Sequence, residues 1–471
     1  MRDFIGRGPY LKHLESHWSS KKTRLLSIYG RRRVGKSALI KTFARQKRAY
    51  LFEALEGEDT SQQIRHFLHQ LAQICQEPFL ADLRYDDWSP VFDLLTQKLN
   101  QEKSVLIGFD ELSWMAAGRA KLVSLIKFYW DRHWKEHPHL LVILCGSVAS
   151  WMVKNVVRSK ALYGRISENI LLDPLNPSEV AQFIGKKRGQ KETLEYLLCF
   201  GGIPRYLEEF NFNESLQINI EKTGFHRVGF FFDEADKIFY NQFRETSVYK
   251  RIVGYLLKNP LSLEDLSLKL KIPSGGGLKQ YLDNLTAAGI IEKIPDVKSF
   301  VASKMGRYHV IDEYLRFHAQ FIRPHQTEIL HSENPVSFEK MTKNQWYPYL
   351  GYAFERFCLK HRYEIARQLG FDQKVLACGG RLDKEEGTQY DLVYLRNDNV
   401  ITCCEIKYLT EKPSTRLIKE FEGKLARSVF PSKTTVEKIL LTNQIPSESL
   451  SESGYFHQIL DVHSLLKEKN R

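Results

Sequence analysis

The sequence predicts an α/β protein in several modules: a parallel sheet, a winged helix-turn-helix and a C-terminal α/β unit. Three observations carry this. Apolar runs of strand length recur at Leu25–Ile28, Ser104–Phe109 and Leu140–Cys145, with helical patterns between them, the alternation that builds parallel sheets. A glycine-containing turn, Gly30-x-x-x-x-Gly35-Lys36-Ser37, joins the first run to a helix. From about residue 236 the pattern changes to helix, helix, helix and strand, and then to a pair of strands carrying charge.

The turn is the phosphate-binding loop pattern in its expected setting, strand before and helix after. Glycines let backbone N–H groups curl round an anionic phosphate, and the helix N-terminus adds partial positive charge. The predicted ATP-binding stretch is Gly30, Arg31, Arg32, Arg33, Val34, Gly35, Lys36, Ser37 and Ala38. Lys36 would reach the β- and γ-phosphates, and the Ser37 hydroxyl would sit on Mg²⁺. The three arginines either cancel phosphate charge, reach another subunit, or form a solvated loop face. The next buried strand ends in Asp110-Glu111, at the sheet edge where open α/β sheets bind ligands. Asp110 would belong to the Mg²⁺ shell, and Glu111 would orient and polarise the attacking water. The third strand ends at Gly146-Ser147. Ser147 is a candidate nucleotide sensor or a cap for the following helix.

Around these pieces, Phe4-Ile5-Gly6-Arg7 precedes a helical pattern at Leu11, Leu14 and Trp18. Ala49–Glu53 reads as a strand, and about 60–75 and 89–100 read as helices. In order, FIGR, GRRRVGKS, FDELSWM, LCGSVASWM, LYGRI and GGIPRYLEEF resemble the archaeal-type AAA+/STAND-like P-loop ATPases. The resemblance implies a P-loop ATPase core (1–175), a helical lid (176–235), a winged helix (236–345) and often a nuclease-like domain (346–471). It also implies that Arg165 touches phosphate in cis or from a neighbouring subunit of a homo-oligomer. Arg205, which opens a lid helix, would close over the nucleotide. The alternative for both arginines is an ordinary surface ion pair.

In the middle region, helical patterns at Tyr249–Leu257, Ser262–Leu270 and Leu278–Ala288 are followed by a strand at Ile290–Pro295, the winged-helix order. Lys279, Gln280 and Asn284 would lie on the exposed side of the third helix, and Lys293, Lys298, Lys304 and Arg307 around the wing. Either DNA contact or an interaction module is compatible with this pattern, since the helix also carries Asp283.

In the last region, Glu355 flanks an apolar helical stripe in Leu350–Cys358. Two strands follow, with Asp391 on the first and Glu405-Ile406-Lys407 on the second. A hairpin at Arg396–Asn399 would bring Asp391 near Glu405, and residues two apart on a strand share a face. This is similar to the restriction-endonuclease-like PD-(D/E)xK pattern. Asp391, Glu405 and Glu355 would hold Mg²⁺ or Mn²⁺ through oxygen ligands. Lys407 would activate water or stabilise developing charge at a phosphodiester. The same string also arises on exposed, solvated strands.

Composition bounds the rest. Net charge is +13 over 471 residues, which leans towards DNA or another polyanion without identifying one. Seven cysteines include no C-x-x-C pair, the usage of a reduced intracellular protein. The first residues lack an apolar signal region, and no apolar run approaches the roughly 18–20 residues that span a bilayer. The expectation is a cytoplasmic ATP-hydrolysing protein coupled to a DNA-binding, metal-dependent nuclease domain. The alternative is an ATP-driven signalling or assembly switch whose last domain binds nucleic acid without cutting it.

Overall fold

The computed structural model describes residues 4–117, 121–147, 149–243, 245–298, 301–383 and 387–467. The chain forms two compact units. The first runs to Leu175 and takes in Ile203–Arg205 and Ala287–Gly289; the second contains the remainder.

The first unit is built on five strands, β1 (Arg24–Tyr29), β2 (Ala49–Glu53), β3 (Val105–Asp110), β4 (Leu140–Gly146) and β5 (Ile166–Leu171), in the order β2-β3-β4-β1-β5. Every pairing is parallel. β3 and β4 are buried throughout, which explains their unbroken apolar runs. Alternate residues feed two cores. Val105, Ile107, Phe109, Val142 and Leu144 pack on one face against helices Thr60–Cys75 and Trp88–Leu99. Leu106, Leu141, Ile143 and Cys145 pack on the other against helices Gly8–Ser19 and Lys36–Ala44. Asp59 and Asp87 cap the first pair of helices, accepting from Gln62 N and Ser89 N, as short polar side chains do at helix starts. β5 lacked a sequence signal because it is an edge strand with mostly exposed or half-buried residues.

The second unit opens with helices Pro177–Ile184, Gln190–Phe200, Leu216–Gly224 and Phe230–Gln242, the last running straight through residue 235. Helices Thr246–Lys258, Leu263–Leu270 and Gly276–Ala287 then lead into β6 (Ile291–Lys298) and β7 (Val301–Val310). Ser262 and Asp265 form a capping box, and Gly289, at φ 66, turns the chain out of the third helix. β6 and β7 pair antiparallel, and Leu261 bridges to Tyr308. This is the winged-helix order. Helix Trp346–Lys360 precedes a second sheet of β8 (Val375–Asp383), β9 (Thr388–Arg396), β10 (Val400–Lys407), β11 (Thr435–Thr442) and β12 (Gln458–Asp461). Its order is β12-β11-β10-β9-β8. β8, β9 and β10 form an antiparallel meander, whereas β10, β11 and β12 run parallel, with helix Arg416–Ala426 in the β10–β11 crossover. Among the described residues no helix is long and apolar enough to cross a membrane.

Candidate functional site

The turn after β1 has the backbone its glycines predict. Gly30 sits at φ 151 with Leu172 O at 2.5 Å from where a Cβ would stand, and Gly35 at φ 91 precedes helix Lys36–Ala44. Both positions penalise any side chain. Lys36 is buried, and its Nζ donates to the carbonyls of Gly30 (3.2 Å) and Arg31 (2.8 Å). The ammonium thus lies across the mouth of the loop. Burial pushes its pKa down, while Cys145, Glu111 and Asp110 support the charge. Ser37 is half-buried at the second helix position and Ala38 is exposed.

Asp110 ends β3 and accepts the Glu111 backbone N–H at 3.0 Å. Glu111 adopts φ 51, which turns its side chain towards the end of β4. There its carboxylate accepts from Ser147 N (3.0 Å) and Ser147 Oγ (2.6 Å). Burial raises the Glu111 pKa; Lys36 and the Ser147 donors oppose that rise. Ser147 was expected as a nucleotide sensor or a helix cap. In this structure it holds Glu111, both its donors meeting one carboxylate oxygen. Arg7, which motif reading left without a role, adopts φ 63 and donates from Nη2 to Val34 O at 2.8 Å. The segment before the first helix therefore braces the phosphate loop.

The arginines divide. Arg31 is buried, and Arg32 donates to Glu56 at 3.1 Å while lying over the Trp114 ring. Arg33 takes the left-handed backbone of the loop, at φ 72. Arg165 takes the ion-pair geometry in this structure. It makes a two-pronged pair with Asp131 at 2.7 and 2.8 Å, so its donors are committed to a side chain of its own unit. Arg205 is exposed on the short helix Pro204–Leu207. The preceding Pro204 lies 3.9 Å from the Cβ position of Gly35, so this helix starts beside the phosphate loop.

In the second unit the hairpin β9–β10 pairs Leu392 with Cys404, and the acidic residues converge just beyond. Glu405 is 1% exposed. Its oxygens meet two lysines: Lys407 Nζ at 2.8 Å and Lys424 Nζ at 2.6 Å. The Asp391 carboxylate takes the Ile406 backbone N–H, and its pKa is raised by burial and by Glu405. Glu355, on helix Trp346–Lys360, is pushed up to about 7 by burial and then by Asp391. Lys407 is held above its ordinary value by Glu405 and Asp391, although burial opposes its charge. The four residues read from the sequence therefore lie close enough to act on one another's charge. Lys424 joins them from helix Arg416–Ala426 and carried no motif signal. The donor set of three carboxyl groups is the oxygen-rich kind that hard dications take.

The winged helix departs from its expected surface. Lys279 and Gln280 are exposed, but Asn284 donates to Tyr249 OH at 2.7 Å and accepts from Gln280 at 2.9 Å. Arg307 pairs with Asp296 at 3.2 Å, and Lys293 is exposed. The Lys298 and Lys304 side chains lie outside the described residues. β6 is docked on the second sheet: Val297 packs among Tyr390, Val393 and Leu395, and Arg362 bonds Glu292 at 2.6 Å. The wing is thus partly covered by its own chain.

Comparison with known proteins fits the first of these sites. Residues 4–210 match the family described as an ATPase domain predominantly from Archaea. Those residues hold the phosphate loop, Asp110, Glu111 and Ser147, so this part of the chain is similar to archaeal ATPase domains. Residues 318–418 match a second family, described as archaeal and bacterial proteins of unknown function, which includes Glu355, Asp391 and Glu405. An uncharacterized protein of Methanocaldococcus jannaschii is 27% identical over 409 residues, 86% of this chain and 87% of its own length. An uncharacterized ATP-binding protein of the same organism is 47% identical over 45 residues, 10% of this chain and 76% of that protein. A solved structure, a Walker-type ATPase of Pyrococcus abyssi, aligns over 67% of this chain and 95% of its own, with 19% identity and a TM-score of 0.49. In the first unit the phosphate loop, Asp110 and Glu111 stand at one end of the parallel strands, with Arg7 holding the loop and Ser147 holding Glu111.

Proposed function

We propose that the chain hydrolyses ATP in its first unit and uses the second as a DNA-binding, metal-dependent nuclease. In the ATPase domain, Lys36 is positioned to exchange its two loop carbonyls for phosphate oxygens. Ser37 and Asp110 would hold Mg²⁺, which neutralises phosphate charge. Glu111 would accept the proton of the attacking water, and a raised pKa suits that task. Ser147 keeps the carboxylate in place until nucleotide arrives.

The observation that carries the nuclease reading is the convergence of Glu355, Asp391, Glu405 and Lys407 at the end of the β9–β10 hairpin. Asp391, Glu405 and Glu355 would hold Mg²⁺ or Mn²⁺, supplying Lewis-acid stabilisation of a phosphodiester. Lys407 would move from Glu405 to the phosphate or the attacking water. Exposed Lys279 and Gln280 of the winged helix, with exposed Lys293 of the wing, would make the duplex contact. One observation favours the alternative, an ATP-driven switch that binds without cutting. The Glu405 carboxylate is already neutralised by two lysines.

The test is cleavage of labelled duplex and single-stranded DNA with Mg²⁺ or Mn²⁺, with and without ATP. Wild type, Lys36→Ala and Asp391→Ala are compared. Cutting lost in Asp391→Ala, and responsive to ATP only when Lys36 is present, is expected. ATP hydrolysis without cutting of either substrate selects the switch.

A further inference from the structure

We propose that His13, His17 and Glu168 form a site for a transition-metal dication of the zinc class, tying the first helix to the edge strand of the ATPase sheet. This rests on neither the nucleotide site nor the acidic pocket. His13 and His17 lie four apart on helix Gly8–Ser19, so their imidazoles share one face, as in helical zinc-binding pairs. Their Nε2 atoms lie 2.6 and 2.8 Å from the same oxygen, Glu168 Oε2 on β5. The three ligand atoms lie within 4.8 Å of one another. The rings stand edge to face at 4.9 Å, which aims both nitrogens inward rather than stacking the imidazoles.

The donor set decides the class of ion. Two imidazole nitrogens and one carboxylate oxygen suit zinc, cobalt or nickel, whereas magnesium and calcium prefer all-oxygen shells. Without an ion, both imidazoles must carry their proton on Nε2 to bond the one oxygen. With an ion about 2.0–2.2 Å from each ligand, a small outward shift lets all three lone pairs bind at once. His17 is 10% exposed in its side chain, which fixes its direction, while His13 and Glu168 at 44% and 36% leave an open side for water. The consequence is mechanical. The helix begins directly after Arg7, which holds Val34 of the phosphate loop, and Tyr10 reaches Leu171 O at 3.4 Å. A metal at Glu168 fastens the same helix one turn further on.

The experiment titrates full-length protein, without nucleotide, with Zn²⁺ by calorimetry and with Co²⁺ by visible absorption. Thermal midpoints are read alongside. Four proteins are compared: wild type, His13→Ala/His17→Ala, His17→Gln and Asp391→Ala/Glu405→Ala. His17→Gln keeps a donor for Glu168 but removes a metal ligand, so it separates coordination from folding. A saturable site that persists in the Asp391→Ala/Glu405→Ala protein, where the acidic cluster is removed, is expected. It should weaken at least about tenfold in both histidine variants, and zinc should raise the wild-type midpoint but not theirs. Equal binding in wild type and the histidine variants, or no saturable binding up to about 1 mM metal, overturns the proposal.

Discussion

Two donors from Ser147 converge on a single oxygen of Glu111, at 2.6 and 3.0 Å, and one of the two is a backbone N–H that an alanine keeps. Ser147→Ala therefore deletes half the tether. Its ATPase rate, read by phosphate release, should change by less than about tenfold, since one neutral hydrogen bond contributes about 0.5–1.5 kcal/mol. Glu111→Gln should lower hydrolysis by about 100-fold or more while nucleotide affinity is kept. A Ser147→Ala protein as inactive as Glu111→Gln would make the hydroxyl a direct reader of nucleotide. The same residues show what the sequence discloses. Gly30, Gly35, Lys36, Asp110 and Glu111 are legible because their chemistry is local: a loop, a helix start and the end of a strand. Arg7 and Lys424 are not, because they lie 27 and 19 positions from their partners and only tertiary folding brings them there. Arg165 carries two readings in the sequence, phosphate contact or an ion pair, because its pairing with Asp131, 34 residues away, leaves no local trace.

The wing is an element fixed from the side. A side chain at Gly379 on β8 would collide with the Pro295 carbonyl on β6, and backbone cannot move aside as the tip of a side chain can. Gly379→Ala should cost about 1–3 kcal/mol, seen as a lower urea midpoint for the second unit. Reading helices, strands and the hairpin from periodicity succeeded here, whereas the docking of β6 on β8 left no periodic trace, since it depends on a glycine being flat. His318, in the helical segment after β7, is pushed down to about 4 by burial, with Arg323 adding to the shift and Asp236 opposing it. It folds neutral, and in the unfolded chain it titrates near 6.5. The stability it contributes is present above about pH 6.5 and is lost as pH falls towards 4, on the order of 2–3 kcal/mol. Urea midpoints at pH 7.5 and pH 5 should differ less in His318→Gln than in wild type.

For the whole molecule, the charge of +13 becomes a statement about salt. If duplex DNA is the partner, affinity read by fluorescence anisotropy should fall about 10³-fold between 50 and 200 mM salt for some six neutralised phosphates. A flat profile would remove the polyanion argument. Composition disclosed that sign of charge but not its placement, which needs the fold. Helix Trp346–Lys360 shows why placement matters. Glu355 looks into the acidic pocket. Its neighbour Arg356 sits half-buried over Tyr349, and Lys360 grips Glu313 at 2.5 Å. Glu313 belongs to the segment that follows β7. The helix is thus a single rigid rod seated in two bearings. Any roll imposed at the Glu313 bearing must swing the Glu355 carboxyl at the other, and cation capture is sensitive to displacements of about half an ångström. If the acidic cluster takes a cation, events at the winged helix would then set the timing of its chemistry without a single atom of it changing identity.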